Sequence, residues 1–308
     1  MKIFVLAPQE NWICDRISEE WHQNNPEVRC DNPHEADVLW LLAGWCWNHI
    51  KPDILSTKKV VLTVHHIVPD KFTDQKHEEF VIRDRYVNAY HVPNKKTALL
   101  VRQLTQKPIF IVPYWYDKTK WEEENLLEAR QSLGLSKNKF IVGSFQRDTE
   151  GGTGLPKLEK GPDIFCETLK ILREEIDETV HVLLGGWRRS YVMNELQSLG
   201  IEYTLNELAD LKTLKKMYAA CDLYIVSSRH EGGPQAIFEA ASMKVPIISR
   251  DVGIASEILS PYSIFDLPKQ ICLPTKESIE TNYKNVQMFE ISHHKEKYLN
   301  MFKAIGEL

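Results

Sequence analysis

Two glutamates, Glu231 and Glu239, flank the run Gly232-Gly233-Pro234-Gln235-Ala236, a set of residue types able to hold an anionic group with hydroxyls on either side. The apolar stretch 223–228 leads into this run and an amphipathic stretch, 235–243, leaves it, with Pro234 suited to the first helical position. The amides and dipole of such a helix start favour an anion, and a diphosphate suits the place. Carboxylates repel phosphate at short range, so both glutamates are expected to accept hydrogen bonds from hydroxyls instead. Glu239, in the second turn, would take a ribose, and Glu231, on the loop, a second sugar. Gly185-Gly186, at the end of another apolar stretch, offers a further turn without Cβ atoms to the same ligand. An anionic centre between two polyhydroxyl groups is the outline of a nucleotide-sugar.

Short apolar runs alternate with helix-length amphipathic stretches along the whole chain, the pattern of βα units that build parallel sheets. The fold class is therefore α/β. Strands are expected at 2–7, 38–42, 59–64, 89–92 and 109–112, with helices such as 12–22 and 95–104 between them. A second series is expected at 140–145, 180–185, 201–204, 223–228, 246–249 and 263–265, with helices at 125–133, 163–175, 211–219 and 235–243. This divides the chain into an N-terminal Rossmann-like domain, 1–118, and a C-terminal one, 119–289. The final helices are expected at 279–289 and 293–305. The stretch 149–160, with its glycines and lysines, reads as a mobile loop. Glycine placement assigns the nucleotide to the C-terminal half, because Gly44 is the only glycine before Gly134. Where a dinucleotide-binding fold carries G-x-G-x-x-G, this chain reads Ala7-Pro8-Gln9-Glu10-Asn11-Trp12.

With 308 residues, 43% hydrophobic and 26% charged, the chain can bury the cores of two domains and is neither disordered nor fibrous. A net charge of -5 without a basic stripe argues against nucleic acid as a partner. Cys14, Cys30, Cys46, Cys166, Cys221 and Cys272 are scattered without a C-x-x-C pair and read as reduced core thiols of a cytoplasmic protein. No apolar run approaches the roughly 20 residues of a membrane span. Membrane contact would be peripheral, at the inner face, and the net charge gives it no support.

The segment 227–240 resembles the E-x7-E motif of the retaining glycosyltransferases of family 4, which have the GT-B fold. The approach to it, 214–226 with Tyr218 and Asp222, and its exit, 240–249 followed by Asp251-Val252-Gly253 and Glu257, are similar as well. In the N-terminal half the likeness runs through Thr63-Val64-His65-His66 and Val112-Pro113-Tyr114-Trp115-Tyr116-Asp117. The resemblance implies two Rossmann-like domains with parallel sheets facing a central cleft, a nucleotide-sugar donor, a saccharide or lipid-linked acceptor, and transfer with retention. It alone implies that the last helix, about 290–308, returns to the N-terminal domain. It further implies that Arg147 and Lys160 contact the diphosphate, with Lys157 as a competitor for Lys160, and that His65, or His66 beside it, serves the transferred sugar. Trp45 and Trp47, on a turn after the second strand, either stack on an acceptor sugar or pack under the sheet edge. Trp12 stands where relatives carry a glycine-rich turn. No Asp-x-Asp occurs in the chain, so no metal and no cofactor are expected. The rival readings are a GT-B-fold sugar-nucleotide epimerase and a sugar-nucleotide-binding protein without turnover.

Overall fold

A computed structural model describes residues 1–176 and 179–307. Residues 177–178 of the expected C-terminal domain and residue 308 of the expected last helix lie outside the described residues. In chain order the elements are β1 (Ile3–Leu6), α1 (Ile13–Asn24), β2 (Val38–Leu41), α2 (Pro52–Thr57), β3 (Lys59–Thr63), α3 (Asp74–Asp84), β4 (Ala89–Val92), α4 (Lys95–Arg102) and β5 (Ile109–Ile111). They continue with α5 (Leu126–Ser132), β6 (Phe140–Phe145), α6 (Pro162–Glu175), β7 (Val180–Gly185), α7 (Ser190–Ser198), β8 (Glu202–Asn206), α8 (Leu211–Ala219), β9 (Leu223–Val226) and α9 (Gln235–Ser242). The last are β10 (Ile247–Arg250), α10 (Ala255–Ile258), β11 (Ile264–Phe265), α11 (Lys276–Val286) and α12 (Ile291–Glu307). Each strand lies within a residue or two of its expected place, since fully buried parallel strands write themselves as uninterrupted apolar runs.

The chain divides into two compact units, one of Met1–Tyr114 with α12, the other Trp115–Glu290. In the first, β1 to β5 are all parallel and stand in sequence order, Ile3 pairing with Val38 and Val38 with Lys59. On the far side of β1, Arg29 forms a bridge to Ile3. The chain thus leaves β1 in one direction and β2 in the other, which puts α1 and α12 on one face and α2, α3 and α4 on the opposite one. Trp40 packs between Trp21, Tyr298 and Phe302 on the first face, at 5.2–5.5 Å between ring centroids. Leu39, Leu41, Phe80, Tyr90 and Val101 fill the second.

The second unit has a six-stranded parallel sheet in the order β11-β10-β9-β6-β7-β8. Here β6 leads outward through β7 to β8, and the chain returns to its other side at β9. Asp222 accepts the Ile141 amide at 2.7 Å and pairs with Arg130, joining the entries of β9 and β6 to α5. Open sheets of this kind bind ligands beyond the strand C-termini where the direction of winding reverses. Those places are β1/β2 in the first unit and β6/β9 in the second.

Three expectations need correction. The stretch 149–160 is tied down, through a Thr149–Pro156 bridge and bonds from Asp148 and Thr149 amides to the Arg188 carbonyl. Cys272 is exposed while the other five cysteines are buried. Pro234 caps α9 from outside instead of opening it. Among the described residues, no helix is long and apolar enough to cross a membrane.

Candidate active site

At the β6/β9 reversal of the C-terminal unit, Lys160 Nζ lies 2.5 Å from Glu231 Oε1, both side chains more than four-fifths buried. The Ser228 hydroxyl stands 3.1 Å from the same carboxylate and 3.2 Å from Gln146 Oε1, and Gln146 donates to the Lys160 carbonyl at 2.9 Å. Ser227 donates to that carbonyl too. Lys160 is thus fixed by both loops that leave the reversal. Gly161 makes this possible: a Cβ there would sit 2.0 Å from the Ser227 carbonyl oxygen, and its φ is +59°. Gly253, from the motif's exit, does the same for the glycine turn, since a Cβ would lie 2.2 Å from the Gly232 oxygen. Lys157 faces Glu159 at 3.4 Å instead.

Glu239 is not a surface residue of α9 but 3% exposed. Burial first, and then the Glu239 charge, hold the Tyr218 hydroxyl well above its ordinary pKa, so Tyr218 remains a donor to that carboxylate. Tyr224, on β9, accepts the Phe145 amide at 3.1 Å and stacks beside Tyr218 with centroids 5.0 Å apart. Gln235 and Ala236 form the first turn of α9, and Gly232 is buried beneath it. Gly185 ends β7 against Phe145 and Met217, and Gly186 follows with φ +91°, close to Gln146. Arg147 is half-buried directly after Gln146.

Sequence reasoning missed the pair that holds this side together. Arg189 is fully buried, with Nε 2.5 Å from Asp148 and Nη1 donating to the Ser144 and Gly185 carbonyls at 2.5 and 2.6 Å. It clamps the ends of β6 and β7 to the loop that delivers Lys160. The only sequence signal was a basic residue three positions past a glycine pair.

At the β1/β2 reversal of the N-terminal unit the materials differ. Gln9 and Asn11 have φ of +57° and +55°, so the turn keeps a glycine-like backbone without glycine. Asp15 pins it by accepting the Gln9 and Trp12 amides at 2.8 and 3.3 Å. Trp45 is 58% exposed, and its indole donates to Glu10 at 3.1 Å, linking the two turns. Trp12 is exposed too, whereas Trp47 stacks on Tyr86 at 5.6 Å and packs against the core.

His65 lies two residues beyond β3, not at its end. Its Nε2 is 2.7 Å from the Leu42 carbonyl, which can only accept, so the proton sits on Nε2. Nδ1 then accepts from the Tyr114 hydroxyl at 2.5 Å. Both ring nitrogens are engaged inside the unit, and His66 is half-buried beside it.

This is an α/β fold with two parallel sheets, of the GT-B type. Over 94% of this chain it matches Anabaena Alr3699/HepE in complex with UDP and glucose, with a TM-score of 0.73, 16% identity and 81% of that chain covered. Sucrose-phosphate synthase from Thermosynechococcus elongatus matches with a TM-score of 0.66 and 14% identity, over 94% of this chain and 77% of that one. Residues 153–293 match the family described as "Glycosyl transferases group 1", so the chain carries a domain of that group. In sequence it is 26% identical over 171 residues to the alpha-galactosylglucosyldiacylglycerol synthase of Streptococcus pneumoniae, 52% of this chain and 42% of that protein. The match to the glycogen synthase of Fervidobacterium nodosum is 26% over 188 residues, 58% of this chain and 36% of that protein. The chain thus spans less than half the length of these curated relatives.

Proposed function

We propose that the protein is a glycosyltransferase that binds a nucleotide-diphosphate sugar in its C-terminal unit and delivers the sugar to an acceptor held by its N-terminal unit. The observation that carries this reading is the Lys160–Glu231 pair at the glycine start of α9, within the group 1 domain. Its parts divide the work. Arg147, Lys160 and the amides of Gly233, Gln235 and Ala236 meet the diphosphate, where negative charge grows as the bond to the sugar breaks. Glu231 accepts from the transferred sugar. Glu239, hydrogen-bonded by the Tyr218 hydroxyl, is the acceptor for the ribose. When the diphosphate enters, Lys160 turns from one anionic partner to two, which fixes Glu231 between the ammonium and the sugar.

Transfer with retention and family 4 membership belong to the same proposal and rest on the resemblance of segment 227–240, while a cytoplasmic location rests on the scattered cysteines. So does metal independence: with no Asp-x-Asp in the chain, protein cations take the place of a metal. A panel of nucleotide-sugars with and without candidate acceptors tests the reading. Acceptor-dependent release of nucleoside diphosphate, unchanged in excess EDTA, is expected. Donor consumption that yields an isomerised nucleotide-sugar would make it an epimerase, and binding without turnover a carrier. Activity lost in EDTA and restored by magnesium or manganese would refute the metal-free part alone.

A further inference from the structure

Gly44, the lone glycine of the first 133 residues, has an ordinary φ and is required for another reason. A Cβ there would lie 3.1 Å from Nη1 and 3.3 Å from Cζ of Arg83, so the glycine makes room for a guanidinium. Arg83, in the last turn of α3, donates from Nη1 to the Gly44 carbonyl at 3.0 Å and lies over the Phe80 ring, 5.4 Å from its centroid. It has no carboxylate within ion-pair distance among the described residues. Glu79, one turn back on α3, accepts from Gln75 at 3.2 Å. Asp84 is taken by Tyr90 at 2.7 Å, by Thr105 at 3.0 Å and by Lys107 at 3.5 Å. Nε is sealed from solvent without a hydrogen-bond partner, while Nη2 makes no bond within the protein and is not sealed. Burial presses the guanidinium's pKa below its ordinary value.

A half-buried cation bonded to a single backbone carbonyl, its charge offset by Tyr90, Glu79 and Asp84 without a direct ion pair, is costly to keep. This one sits against Gly44, the residue before Trp45, whose ring is more exposed than that of Trp12, on the β2 side of the reversal where an open sheet binds its ligand. The carboxylates of the turn after β1 are occupied as well, Glu10 by the Trp45 indole and Asp15 by turn amides. We infer that the acceptor carries an anionic group, a phosphate or a carboxylate, which Arg83 receives while Trp45 stacks on the adjoining sugar ring. This rests on the acceptor-side reading of the N-terminal unit and adds its substrate class. Arginine is suited to the task, since with Nη1 given to Gly44 the planar guanidinium still presents the N–H donors of Nη2 to either group.

The test uses calorimetry on the full chain with three probes: glucose 6-phosphate, glucuronate and glucose, each titrated with and without saturating UDP. The wild type is expected to bind at least one anionic probe about tenfold or more tighter than glucose. Preference for the first or the second tells phosphate from carboxylate. Arg83→Gln is expected to abolish the preference, and Arg83→Lys to retain part of it. Equal binding of all three probes by the wild type would overturn the inference without reference to any variant, and so would a preference that survives in Arg83→Gln. A preference confined to UDP-free protein would also overturn it, because it would mark the diphosphate site. Failure of UDP itself to bind would instead count against the donor reading and leave the anion comparison interpretable.

Discussion

At the reversal of the C-terminal sheet the chain gathers charge and backbone without Cβ atoms; at that of the N-terminal sheet it gathers rings. Lys160, Glu231 and Ser228 meet around Gly161 and Gly232, whereas Trp45 lies beside His65 at 6.4 Å between ring centroids and bonds through Glu10 to a turn whose left-handed residues are Gln9 and Asn11. Both sheets are parallel and both reverse their winding at the site, so topology does not separate them. Side-chain chemistry does. A diphosphate carries fixed charge and is met by cations and amides at close range; a sugar acceptor offers flat apolar faces and hydroxyls, which rings and single polar groups suit.

The comparison breaks most severely if the frame under the charged site is removed. Asp148→Ala leaves Arg189 buried without its counter-ion and is expected to cost about 3–5 kcal/mol of stability, read from urea denaturation. A loss below about 1 kcal/mol would show that the pair does not clamp the loop.

The ring-built unit has its own liability at acid pH. His91 is fully buried, donates from Nε2 to the Val112 carbonyl at 2.8 Å and is 2.9 Å from the Thr63 hydroxyl. Burial pushes its pKa down from 6.5 to about 4. The unfolded chain therefore binds the proton first, so the stability is present above pH 6.5 and is lost as pH falls toward 4. By linkage this amounts to about 3 kcal/mol for 2.5 pH units. Urea midpoints between pH 4 and 7 should show that slope, and His91→Gln should lack it. An unchanged slope in the variant would assign it to other groups.

Catalysis sharpens the contrast next. Lys160→Ala is expected to lower turnover by about 10²-fold, near 2.7 kcal/mol in the barrier, and Lys157→Ala to do far less. The reverse order would move the role within the loop. Glu231→Ala should harm turnover more than UDP affinity, because its proposed partner is the sugar, and equal losses would place it elsewhere.

The smallest effect isolates the close approaches. Gly134→Ala places a Cβ in open space at φ +67° and should cost about 1 kcal/mol, the backbone penalty alone. Gly161→Ala adds a collision with Ser227 to a similar φ and should cost several times more in thermal unfolding. Equal shifts would mean that the two loops can separate without loss.

The sequence by itself determined the eleven strands among the described residues, the alternation with helices and the half that carries the glycine-framed glutamates, because each is written in local periodicity and residue type. It also singled out Lys160 and Glu231 as candidates, though not that they touch: 71 positions separate them, and only the reversal of winding brings their loops together. Tertiary structure alone decided that Trp45 is exposed while Trp47 supports Tyr86, since a turn's two rings obey no period. It alone buried Glu239 against Tyr218 and Arg189 against Asp148. Gly44 was visible as an isolated glycine, but the reason for it, a guanidinium arriving from 39 residues away, exists only in the folded chain.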